Sequence, residues 1–198
     1  MKKIIAAMSV LIALGVYVAV GSATSFAVGK SKLSAKTLDL DSESIVAKGN
    51  ASMSMSPSGA QLEIGQMQLE SMTAQTITVR LQTSKAKKLA MKDAEATGGV
   101  IIRAKRADKD TGPDGKPVRV LRDVYASART ATMPESQDVV KLTGNVIVKI
   151  TDQGASEPIA TVTGEVVVVS LKDGKIHIEG QGDKPAEFTV TPKEVEKK

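Results

Sequence analysis

A single histidine, His177, stands in 198 residues, and there is no cysteine. Any Ser-His-Asp arrangement would have to be built on His177. Clustered-histidine and thiolate metal sites, disulfides, a cysteine nucleophile and a lipid-modified N-terminal Cys are all excluded. In "KIHIEG" the histidine alternates with Ile176 and Ile178, on the polar side of a strand beside a turn, which reads as a solvated side chain. Asp39, Asp41, Glu43 and Glu63 are scattered, without calcium-loop spacing. The Gly-Lys-Ser of "VGKSK" (28–32) lacks the preceding glycine and strand of a phosphate-binding loop. The residues point to no enzyme, no cofactor and no metal.

The charge that could do work is positive. From Arg80 to Arg122 there are 12 Lys/Arg against 5 Asp/Glu, a local excess of 7 in a chain of net charge +5. Lys85, Lys87, Lys88, Arg103, Lys105 and Arg106 are candidate contacts for anionic head groups such as lipid phosphates. The competing account is a solvated strand face on which Lys guards against edge-to-edge aggregation. Nucleic acid is a poor partner: base stacking needs aromatic faces, and only 2% of the residues are aromatic.

The N-terminus argues further against nucleic acid. Two lysines, an apolar run of 17 residues from Ile4 to Val20, and then small residues follow the order of a secretory signal. Ser25-Phe26-Ala27 and Gly21-Ser22-Ala23 are the candidate processing sites, so 1–27 is expected to be a signal peptide and 28–198 the mature chain. The run is also at the lower edge of what spans a bilayer, so an uncleaved inner-membrane anchor over residues 4–20 competes. Both expectations place the remainder outside the cytoplasm.

What must position these groups is β-structure. Period-2 alternation dominates after residue 30. Val140, Leu142, Val146, Val148 and Ile150 share one parity, opposed by Lys141, Thr143, Asn145 and Lys149. Val162, Val166 and Val168 form a second stripe, Ile176 and Ile178 a third, and Ala186, Phe188 and Val190 a fourth. Upstream, Met53 and Met55, then Leu62 and Ile64, then Met67 and Leu69 alternate, with a bulge expected at Gly65-Gln66. Asp173-Gly174 suits a hairpin turn, and 108–117 and 151–158 read as turn-rich loops, the first as an insertion. No helix of ordinary length is expected.

A break recurs along these strands. Gly49-Asn50, Gly98-Gly99 and Gly144-Asn145 follow similar lead-ins, 49 and 46 residues apart, and Gly180 resembles a shortened fourth copy. Such a period means stacked supersecondary units. Glycine inside a strand marks a bulge, a bend or a close backbone approach, so each copy is expected to be a corner where the strand kinks. Independent hairpin turns are the plainer account.

The pattern "DVVKLTGNVIVKI … ATVTGEVVVVSLKDGKIHIEGQG" resembles the OstA-like family of periplasmic lipopolysaccharide-transport proteins, its bridging (LptA-like) members first and its anchored (LptC-like) members second. "LRDVYASARTATMPESQDVVKLTGNV" is similar to the preceding unit of that family. The likeness is best over 120–191 and weaker over 33–105; Gly98-Gly99 departs from Gly-Asn, and 108–117 lies outside the pattern. The resemblance implies an all-β, antiparallel β-jellyroll, a splayed two-sheet sandwich of strand-Gly-Asn-strand units. It implies an apolar trough that shelters the acyl chains of lipopolysaccharide or a related glycolipid between inner and outer membrane. It also implies edge-strand pairing with other OstA-like transport proteins or with further copies, head to tail. The trough would be lined by Met53, Met55, Ile64, Met67, Val100 and Ile102 from the first half, and by Leu142, Val146, Val148, Ile150, Val166, Val168, Ile176, Ile178 and Phe188 from the second. In a closed sandwich the same residues are core, and the chain would be an exported structural β-repeat protein without a lipid ligand.

Overall fold

Strands with one apolar side must hide that side, and with no helix among the described residues they hide it against more sheet. The computed structural model describes residues 24–28, 31–41, 43–55, 61–83, 89–134, 136–179 and 186–190. The described chain is antiparallel β-sheet: β1 (Thr24–Val28), β2 (Ser31–Ala35), β3 (Thr37–Leu40), β4 (Ser44–Met55), β5 (Met67–Thr83), β6 (Leu89–Thr111), β7 (Pro117–Met133), β8 (Val139–Asp152), β9 (Pro158–Ser170), β10 (Ile176–Glu179) and β11 (Glu187–Val190). They form one sheet in the order β1-β2-β4-β5-β6-β7-β8-β9-β10, with β3 on β4 and β11 on β9. From β4 to β10 consecutive hairpins explain the order, because each of these strands pairs with the next.

The repeated glycines crease this sheet. Gly49-Asn50, Gly98-Gly99 and Gly144-Asn145 each hold two successive positive φ angles, between 50° and 85°. Each pair sits where the register slips, two residues facing one: Gln75 for the first two pairs, Arg129 for the last two, and Glu165 for Gly144-Asn145. A bulge of this kind bends its strand sharply. The backbones also touch there: a Cβ on Gly98 or Gly144 would lie 2.6 Å from the Cβ of Gln75 or Arg129. Lys36, between β2 and β3, continues the line, its N–H donating to the Gly49 carbonyl at 3.1 Å. The Gly180 copy lies outside the described residues.

The crease decides which parity is buried. The bulged strands keep one parity across the glycine pair, as in Val140, Leu142, Val146, Val148 and Ile150 of β8. Their partners change parity at the single residue facing the bulge. In β7 the buried set passes from Val124, Ala126 and Ala128 to Ala131 and Met133. In β9 it passes from Ala160 and Val162 to Val167 and Val169. Val166 and Val168 therefore lie on the outer side, half-exposed, and are corrected out of the inner stripe.

The crease divides the sheet into two layers. Layer A holds β3, β10 and the stretches 44–48, 76–83, 89–97, 130–133, 139–143 and 166–170. Layer B holds β1, β2, β11 and the stretches 51–55, 67–74, 100–111, 117–128, 146–152 and 158–164. The inner faces of both layers belong to one hydrophobic cluster. Two further expectations change. The stretch 108–117 is the tip of the β6–β7 hairpin, paired down to Thr111 opposite Pro117, rather than an insertion loop. Leu62 and Ile64 lie before β5 starts, in a turn, with Ile64 56% exposed.

Candidate functional site

The buried apolar residues of both layers gather on the inner face of the folded sheet. Met53, Met67, Val100, Ile102, Leu142, Val146, Val148 and Ile150 are all buried on it, Val148 completely. Met55, Ile176 and Ile178 are half-buried and pack against its edge. Phe188, on the short outer strand β11, is 61% exposed and stands away from it. Ile64 is likewise off this face.

Alternation of large side chains missed most of what builds it. Twelve of the 33 buried apolar residues described are alanines: 35, 47, 51, 74, 94, 96, 104, 107, 126, 128, 131 and 160. Met72, Met91 and Met133 join Met53 and Met67. Small alanines flanked by unbranched, polarizable methionines make a surface that tolerates irregular shapes. It carries no aromatic side chain among the described residues.

The polar groups lie at one end of this face or on the outer side. Arg103 is exposed on the outer side of β6, beside Ser71 and Tyr125. Lys105 Nζ is 3.6 Å from Glu70 Oε1, and Arg106 Nε is 2.8 Å from Asp108 Oδ1. Lys85, Lys87 and Lys88 fall outside the described residues. Of the described head-group candidates, Arg103 lies on the outer side, whereas Arg106 shares the parity of Ile102 and Ala104 and is half-buried at the end of the inner face, opposite Met67. A charge network missed in the sequence closes one end of layer B. Arg122 reaches Asp108 at 2.9 Å, Asp110 at 3.1 Å and Asp152 at 2.9 Å. Burial alone would push the Arg122 pKa down; hydrogen bonds and charge from Asp152 and Asp108 outweigh it and hold the guanidinium above its ordinary value. The network spans three strands and acts as a staple between them. His177 is exposed, 3.4 Å from Glu179. No group of three or more metal-ligating side chains occurs among the described residues, nor a helix long and apolar enough to cross a membrane.

The arrangement can shelter an apolar body between two sheet layers, and the strands at the edges of the described sheet can pair with further strands. The fold is that of an LptA-like β-jellyroll, an antiparallel sheet folded on itself. Among solved structures the chain is similar to the crystal structure of LptH, described as the LptA-homologous periplasmic component of the lipopolysaccharide transport device of Pseudomonas aeruginosa. The TM-score is 0.53 at 15% identity, over 82% of this chain and 95% of that one. No family model matches the chain, and no curated protein matches its sequence.

Proposed function

We propose that this chain is a periplasmic lipopolysaccharide-transport component that carries the lipid, or a related amphiphile, passively between inner and outer membrane. The observation that carries the reading is the apolar inner face of a single creased sheet, in a fold shared with a periplasmic component of such a device. Acyl chains would lie on the alanine and methionine face, each buried methylene contributing about 0.8 kcal/mol. The phosphates would stay outside the apolar layer, near the basic β5–β6 region. Edge strands β1, β10 and β11 would take partner strands by main-chain pairing, from other transport components or further copies. The exposed Phe188 and Val190 on β11 suit that contact. An N-terminus processed after Ala27 goes with a bridging role, an intact one with an anchored role. No covalent step is involved.

The complete burial of Val148 favours a second reading, a structural β-protein whose layers stay shut on a permanent core. Photo-crosslinking separates the two. A photoreactive side chain at Val148 is expected to capture lipopolysaccharide, while one at Lys149, on the opposite face, is not. Capture at neither position in a folded protein overturns the transport reading.

A further inference from the structure

The folded sheet has a spine, the crease, and two margins where the strand ends of the layers meet. Backbone hydrogen bonds join these margins at the strap 61–66, which leads into β5. On its own layer the strap continues along β6: Gly65 N–H donates to the Ala107 carbonyl at 2.7 Å, and Ala107 N–H to the Gln66 carbonyl at 3.0 Å. Arg119 Nε donates to the Leu62 carbonyl at 2.8 Å. β4 pairs with β5 only as far as Ser54 opposite Ser71, so the first residues of β5 lack a β4 partner. Layer A fills that place. Met67 N–H donates to the Leu171 carbonyl at 2.7 Å, and Leu171 N–H to the Asp138 carbonyl at 2.7 Å. The β9–β10 turn packs so tightly on the strap that a Cβ on Gly174 would lie 2.5 Å from the Gly65 carbonyl oxygen.

We infer that this strap is a latch, and that an amphiphile reaches the interior sideways, between the two margins, when Met67 and Gly65 release the β9–β10 turn. The inference rests on the proposed transport function and adds its route and its control. The spine cannot serve as the opening. It is held by ladders on both sides and by the close approach of neighbouring strands at the glycine pairs. Between the layers the latch is held by a single backbone hydrogen bond, Met67 to Leu171, the kind of sparse contact that opens locally while the rest of the fold stays intact. Opening about the crease would then part the layers without breaking a ladder. Ile64, exposed on the strap, offers an arriving acyl chain an apolar first contact.

The chain has no native cysteine, so a double variant, Gln66→Cys with Lys172→Cys, introduces the only pair. These positions flank the Met67–Leu171 hydrogen bond. Uptake of fluorescent lipopolysaccharide by the full chain is measured with the pair oxidised and reduced. The expected result is normal uptake when reduced and uptake at least about tenfold slower when oxidised, as for a gated site. Equal uptake in both forms overturns the latch and leaves the transport function standing. No uptake in either form, with wild type also inactive, overturns both. If the pair fails to form, Gly174→Ala tests the same contact from the other side. Its methyl group displaces the strap, so uptake should quicken and the Met67 amide should exchange faster with solvent. Unchanged uptake, with the Met67 amide exposed, also overturns the latch.

Discussion

Replacing Gly144 by alanine tests the crease. Gly144 has φ +85°, and its added Cβ would lie 2.6 Å from Arg129 Cβ, backbone-proximal atoms that cannot swing aside. Gly99 has φ +73° and nothing within 4 Å of its added Cβ. Both substitutions carry the left-handed penalty of roughly 1–2 kcal/mol. Both also stiffen the unfolded chain, which offsets about 0.4–1 kcal/mol of that loss and is common to the pair. Only Gly144→Ala adds an overpacking cost, about 1–3 kcal/mol. Gly144→Ala is therefore expected to be the less stable variant by about 1–3 kcal/mol. Urea denaturation followed by far-UV circular dichroism reads this as a lower midpoint at unchanged slope. Equal midpoints would refute the close approach of β7 and β8 at the crease. Wild-type midpoints for both would refute the positive-φ pairs themselves.

Three further outcomes are expected. Val148→Lys places a charge at a fully buried position and should cost about 4 kcal/mol or more, whereas Lys149→Glu should stay within about 0.5 kcal/mol, both read by the same denaturation. Arg122→Met leaves the nearly buried Asp108 with only Arg106 and should cost about 3 kcal/mol; a loss below 1 kcal/mol, measured calorimetrically, would refute the staple. Hydrogen bonds from Lys175 and Ser170 hold the Asp173 carboxyl well below its ordinary value of 3.8, so its contribution to the β9–β10 turn is complete above that pH and lost as pH falls toward the folded value. Amide exchange at Lys175 should rise across that acid window, and Asp173→Asn should abolish the rise.

The crease was legible because Gly-Asn and Gly-Gly inside apolar stripes have few physical meanings, and a repeated interval weighed against the plainest of them, independent hairpin turns. What the crease does to its neighbours was not legible. Val166 and Val168 were assigned inward because β9, read alone, alternates without interruption. The bulge that reverses its parity is on β8, and only the pairing transmits it. The alanines were overlooked for a different reason. A stripe is seen through its large members, and Ala47, Ala96 and Ala131 give no contrast against polar neighbours, yet they are what lets two layers meet closely. The strap was misread as strand because Leu62, Ile64, Met67 and Leu69 nearly alternate. Its partners, Ala107 and Leu171, are distant in sequence and unmarked by residue type. The Arg122 network is equally non-local.

The alignment of the bulges also governs how this chain can change length. Each interval between glycine pairs runs out to one strand tip, back across the crease through the single facing residue, and on to the opposite tip and back, so the crease acts as a phase mark shared by every hairpin. Residues added in matched numbers at a tip, such as 112–116 between β6 and β7, would lengthen one margin and leave the phase untouched. A whole hairpin with its own glycine pair would widen the sheet. A single residue inserted between tip and crease would set one strand out of step with both neighbours and turn its apolar side to water. Lineages of such a chain are therefore expected to vary in hairpin number and tip length while the distance from each glycine pair to the next strand partner stays fixed.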